Sequence, residues 1–126
     1  MNGKKIAYWI TTVVTAFVFL SGGVADLLKP PPVLEGMIHL GYPVYFVLIL
    51  GTWKVLGSIA ILAPKFPRLK EWAYAGMFFD LTGATASHIS VGDDLFHRIT
   101  PLVILAIVIA SWALRPESRK LGGPTL

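Results

Sequence analysis

The stretch Lys70-Glu-Trp-Ala-Tyr-Ala-Gly-Met-Phe-Phe-Asp80-Leu-Thr-Gly-Ala-Thr-Ala-Ser-His88 decides how this chain is read. From Trp72 to Ile89 it is about long enough to cross hydrocarbon as a helix, since a span takes roughly 20 residues. Asp80 falls near the midpoint, where an ionised side chain is expensive and needs a partner. Ala73, Gly76, Asp80, Gly83 and Ser87 recur at helical spacing, so the carboxylate sits on a stripe of small residues that another helix backbone can approach closely.

The rest of the chain points to the same solvent. With 126 residues, a mean hydropathy of +0.68 and 14% charged residues, the chain is one small domain over residues 1–126, more apolar than a soluble domain of that size needs. There is no cysteine, which excludes disulfides, thiol redox chemistry, iron–sulfur clusters and thiolate zinc sites. A net charge of +4 could suggest nucleic acid, but the basic residues lie in short blocks beside apolar runs, so no nucleic-acid partner is expected. The partner is the lipid bilayer.

Outward from residues 72–89, three further spans are expected, at about 6–28, 43–63 and 99–114. Lys4, Lys5 and Ser21-Gly22-Gly23 also suit a cleaved signal peptide, but the apolar run does not stop there, which favours a first transmembrane helix. Pro30-Pro31-Pro32 should end it. Residues 33–41 carry Leu34, Met37, Ile38 and Gly41 against Glu35 and His39, a pattern for one or two helical turns in the membrane interface. The short loop from Pro64 to Glu71 makes spans two and three an antiparallel hairpin. Thr100-Pro101 puts a proline in the first turn of span four, where it is tolerated, and the tail 115–126, without periodicity, should be loosely ordered. The expected fold is an all-α, four-helix transmembrane bundle with a short interfacial helix between spans one and two.

Basic residues near the span ends give the orientation. Lys4, Lys5, Lys65, Arg68, Lys70, Arg115, Arg119 and Lys120 share one side, against Lys29 and Arg98 on the other. Both termini should be cytoplasmic in a multi-pass inner-membrane protein. Asp26, Glu35, His39, His88, Asp93, Asp94 and His97 then gather at the opposite, acidic end.

Counted from the hairpin at about 1.5 Å per residue, Lys54 and Asp80 lie at roughly 13 and 12 Å depth, so they can meet. Each charge alone would cost about 3 kcal/mol at a helix centre. Partnership of each with the other, or with Thr82, Tyr74 or water, is therefore expected, and a Lys54–Asp80 ion pair would be either structural, fixing the hairpin's register, or functional, as a ligand-orienting and proton-accepting site. His88 closes the small-residue stripe and is the candidate relay of protons to Asp80. Trp53, beside Lys54, could pack over a ligand ring or face lipid, and the second is the commoner role. The spacing of His39, His88 and His97 matches no ligand motif, so neither a metal site nor a haem is expected. No Walker loop, dinucleotide fingerprint, nucleophile elbow or triad spacing occurs.

Together, His39-Leu-Gly-Tyr-Pro43, Gly51-Thr-Trp-Lys54-Val-Leu-Gly57, Pro64, Lys70-Glu-Trp-Ala-Tyr-Ala-Gly76, Asp80-Leu-Thr-Gly-Ala84 and Ser87-His88 resemble the DoxX-like small membrane proteins, over about residues 6–114. The resemblance implies a four-helix integral membrane bundle. The family takes its name from a subunit of an archaeal thiosulfate:quinone oxidoreductase, and relatives are linked to quinone handling, redox stress and, in animals, assembly of other membrane proteins. Lys54, Glu71, Asp80 and His88 are the motif positions it carries over. The leading expectation is an accessory component of a redox system, not an autonomous enzyme, that binds a lipophilic small molecule such as a quinone. In it Lys54 would meet a carbonyl oxygen, Asp80 would exchange the proton, and a redox protein would supply electrons. The alternatives are a non-catalytic membrane scaffold or assembly factor that engages other membrane proteins, and a proton-coupled small-solute carrier working as a homo-oligomer.

Overall fold

The computed structural model of the chain describes residues 2–120, and among these there are five α-helices, one 3-10 turn and no strand. The helices are α1 (Gly3–Leu28), α2 (Pro31–His39), α3 (Val44–Leu62), α4 (Pro67–Ser90) and α5 (Leu95–Ala113), with the 3-10 turn at Glu117–Arg119. Three of them, α1, α3 and α5, are long and apolar enough to cross a membrane. The 24 residues of α4 match them in length, at about 1.5 Å each, but its sequence is more polar.

Prolines set most of the boundaries, and in two places they start helices that were expected to begin later. Lys29 caps α1 in the left-handed region at φ 53°, because the right-handed helix is disfavoured before Pro30. The proline run then opens α2, whose first helical residue is Pro31: proline has no N–H to lose at a first turn. Likewise Phe66, at φ 55°, precedes Pro67, where α4 starts five residues before the expected Trp72. At the start of α5, Asp94 accepts the His97 backbone N–H at 3.1 Å, so the helix begins at Leu95. Pro101 is therefore buried inside α5, not in its first turn, and removes the donor that would reach the His97 carbonyl. Thr85 of α4 donates to the neighbouring Arg98 carbonyl at 3.1 Å.

The four long helices close a ring in which α1 packs between α3 and α5, and α4 packs between the same two; α2 lies against α3. The outer surface is apolar: Ile10, Phe17, Leu28, Trp53, Trp72 and Phe79 are all more than half exposed. The interior combines an apolar layer, Phe19, Ile61, Met77, Leu81, Leu105 and Val108, with buried hydroxyls. Thr12 and Ser111 hydrogen-bond at 2.5 Å, and Tyr74 reaches Ser111 at 2.8 Å. A water-soluble bundle has the opposite pattern, and this one is the pattern of a protein whose solvent is lipid.

The tightest packing is between α1 and α3. A Cβ built on Gly23 would lie 2.9 Å from the Gly51 carbonyl oxygen and 2.9 Å from Lys54 Cβ; one built on Gly51 would lie 2.9 Å from the Gly23 oxygen. The two backbones touch, and only glycine permits it.

At the opposite end, cations close the bundle over the exposed carbonyls of α3. Lys70, fully buried, donates to the Ala63 and Lys65 carbonyls, and Arg119 donates to those of Ile61, Leu62 and Ala63. Arg115, buried against Tyr74 and Trp112, forms an ion pair with Glu71 at 2.5 Å, and Trp112 donates to the same carboxylate at 3.0 Å. Residues 115–120, expected to be loosely ordered, are thus tied to the bundle; the remainder of that tail, 121–126, lies outside the described residues.

Gly23→Ala and Gly51→Ala should each lower unfolding stability in detergent by about 1–3 kcal/mol, because the methyl group meets backbone that cannot give way. Gly76→Ala and Gly83→Ala, where nothing lies within 4 Å, should be neutral or slightly stabilising in the same thermal melts. Glu71→Gln should cost about 2 kcal/mol by leaving the Arg115 guanidinium buried without its carboxylate, and Arg115→Met in that background should recover much of the loss.

Candidate functional site

The acidic end carries an open cleft of about 420 Å³ beneath α2, lined by Asp26, Pro32, Val33, Met37, Leu40, His39, His88, Asp93 and His97, with Gly36. One wall is apolar and comes from α2 and the residue that caps it. The other is titratable and comes from the ends of α1, α2, α4 and α5.

Asp93 organises the titratable wall. Its carboxylate accepts an imidazole N–H from His88 Nδ1 at 2.6 Å and from His39 Nε2 at 2.6 Å, joining the end of α4 to the end of α2. Its carbonyl oxygen accepts from Arg98 Nε at 2.6 Å, which fixes the turn before α5. The hydrogen bond from His88 first, and that from His39 second, hold the Asp93 carboxyl below its ordinary value of 3.8. Asp94 is lowered in the same way by His97, whose ring nitrogen lies 2.6 Å from it. With Nδ1 of His88 donating to Asp93, the Nε2 of the neutral ring is left as an acceptor. The His88 and His97 rings lie 5.5 Å apart between centroids. Among the described residues no group of acidic and histidine side chains has the geometry to hold a metal ion.

Deeper in the bundle, Lys54 is paired, but with a different carboxylate from the one expected. Its ammonium lies 3.0 Å from Asp26 Oδ2 of α1. Among the described residues there is no direct bridge between Lys54 and Asp80, although Asp80 lies within electrostatic reach of both Lys54 and Asp26. The reason is the glycine contact: with Gly23 against Lys54 Cβ and Gly51 against Asp26 Cβ, the last turns of α1 are pressed onto the middle of α3. Gly22 also leaves open the space beside the ammonium, which lies 3.9 Å from where its Cβ would stand. Asp26 therefore both lines the cleft and holds Lys54.

The sites expected from sequence separate accordingly. His88 lines the cleft, whereas Lys54 and Asp80 do not and connect to it only through Asp26. Trp53 is 68% exposed on the outer face of α3 and does not line the cleft. Glu71 links α4 to Arg115 and Trp112. Asp93 and Asp26, the two hubs, were grouped at the acidic end by topology alone, and no spacing motif marks either as a hub.

A family model for the DoxX-like family matches residues 10–111. The chain belongs to the DoxX-like family. With its three long apolar helices, that makes it a membrane protein. Comparison with curated proteins and with solved structures found no match. Within this DoxX-like chain, the family match takes in α2, α3, α4 and most of α1 and α5, and therefore every residue that lines the cleft.

The Asp93 bridge gives acid sensitivity a definite sign. A carboxyl whose folded value is depressed stabilises the fold above its unfolded value and loses that contribution as pH falls through the folded one. The difference in melting temperature between wild type and Asp93→Asn should shrink as pH falls below about 4. Thermal melts across pH, with hydrogen exchange in α2 as the local readout, check this.

Proposed function

We propose that this DoxX-like protein is a four-span protein of the inner membrane, with α4 as the fourth span and both termini on the cytoplasmic side, that binds a lipophilic small molecule of the quinone class in the cleft beneath α2. The observation that carries the proposal is the composition of that cleft: an apolar wall from Pro32, Val33, Met37 and Leu40 faces His39, His88, His97 and Asp26 across about 420 Å³. Binding sites for small molecules have this make-up and this range of volume. The hairpin and both chain ends bear the excess of lysine and arginine, which supports the orientation. The cleft then opens at the outer interface, where the headgroup of a membrane-dissolved molecule lies.

The side chains suit a ring that carries carbonyl or hydroxyl oxygens. A protonated imidazole donates to a carbonyl oxygen, and the free Nε2 of a neutral His88 accepts a proton from a hydroxyl. Asp26, the most buried titratable group of the lining, connects the cleft to Lys54 and Asp80. The chain has no thiol carrier of electrons, so the two electrons that accompany two protons in quinone reduction would come from a redox protein, with this protein as the accessory component. Saturable quinone binding by the protein in lipid nanodiscs tests the site. Wild type should bind, and His88→Ala and Asp26→Asn should weaken binding at least tenfold with the fold retained. Trp53→Phe should change nothing. Folded wild type that does not bind saturably would refute the proposal.

One observation favours a second role, as scaffold for other membrane proteins. A methyl group added at Gly76 or Gly83 meets no atom within 4 Å, and Ala75 and Ala86 are exposed beside them, so α4 presents a small-residue face outward. Gly83→Leu should then release a co-purified partner and leave quinone binding unchanged.

A further inference from the structure

Between the cleft and the apolar core lie two carboxylates and one ammonium, and nothing in the surrounding helices balances the remaining charge. Asp26 comes from α1, Lys54 from α3 and Asp80 from α4, with Asp80 in electrostatic reach of the other two. The other titratable side chains of the packed elements lie elsewhere along them. On α1 there is none between Tyr8 and Asp26; on α3 the only other is Tyr45; on α4 there is none but Asp80 between Tyr74 and His88; on α5 there is none between Arg98 and Arg115. Fully ionised, the group carries a charge of −1 inside a bundle whose outer surface faces lipid.

The hydrogen bonding shows the same deficit. Asp26 is nine-tenths buried with its Oδ2 3.0 Å from the Lys54 ammonium, so the one cation is already committed to it. Asp80 makes no hydrogen bond or ion pair among the described residues. Two carboxylates that compete for one cation in a low-dielectric site do not both stay ionised. We propose that Asp26, Lys54 and Asp80 form a proton-binding site that holds one exchangeable proton at neutral pH, seated principally on Asp80 and taken up from the acidic end through the cleft that Asp26 lines. A proton from water bonds to a carboxylate oxygen, the charge of the group goes from −1 to 0, and no electron moves. His39, His88 and His97, on the same cleft, stand on the route by which the proton enters and leaves. The site goes beyond ligand binding in the cleft and does not depend on it.

Infrared spectroscopy of the ligand-free protein in nanodiscs, with aspartate labelled with carbon-13 at its carboxyl group, counts the proton directly. The chain has four aspartates, and Asp93 and Asp94 are ionised at neutral pH. At pH 7 wild type should show the carbonyl stretch of one protonated aspartic acid per chain, in choline and in sodium buffer alike. Asp80→Asn and Asp26→Asn each leave one carboxylate facing one ammonium and should abolish the band, and Lys54→Met should double it. Absence of the band from wild type in either buffer would overturn the proposal, because ionised carboxylates or a bound metal cation would then carry the balance. So would a band that survives both aspartate variants. The wild-type count needs no variant to fold, and it stays informative if no quinone binds.

Discussion

Contact between the backbones of α1 and α3 at Gly23 and Gly51 is the constraint on which the rest of the structure depends. In lipid, apolar side chains gain little by leaving the solvent for one another, so helices associate through close packing and polar contacts. Two glycines that face each other bring the chains together until carbonyl oxygens stand 2.9 Å from where side chains would begin. That approach carries Asp26 to the level of Gly51 and lets Lys54 reach it, and it closes the ring of helices around the hydroxyl-bearing interior.

The two ends of the bundle solve opposite electrostatic problems. At the basic end the last carbonyls of α3 lack intrahelical donors, and Lys70 and Arg119 supply them, with Arg115 held by Glu71 and by the faces of Tyr74 and Trp112. These three cations are all partnered. At the acidic end carboxylates outnumber cations, and neutral or protonated histidines satisfy them: Asp93 ties His39 to His88, and Asp94 ties His97 to the start of α5. Histidines and carboxylates set around an open cleft make this the end where chemistry can respond to a ligand or to pH.

Asp26 joins the cleft to the interior. It is the one lining residue that also contacts the lysine inside the bundle, so a change of charge in the cleft is felt by Lys54, and through Lys54 by Asp80. A ligand that brings or removes protons would find its counterpart there.

Much of this architecture was legible in the sequence. Runs of apolar residues marked the four long helices to within about five positions, the pattern of residues 33–41 announced α2, and the distribution of basic residues separated the two ends, because hydropathy and charge are local properties of each segment. Proline boundaries misled, since the same ring that stops one helix starts the next, as Pro31 and Pro67 do. The need of Lys54 for a carboxylate was also legible, because the cost of a charge in lipid does not depend on the fold. Which carboxylate answers that need was not. Depth counted along α3 and α4 favoured Asp80, but the axial offset of α1 against α3 is set by where Gly23 and Gly51 touch, and that contact places Asp26 beside the ammonium. Sequence by itself determined the solvent, the helices and the charges that must be balanced; the register between helices, a property of packed surfaces and not of any one segment, decided how they are balanced.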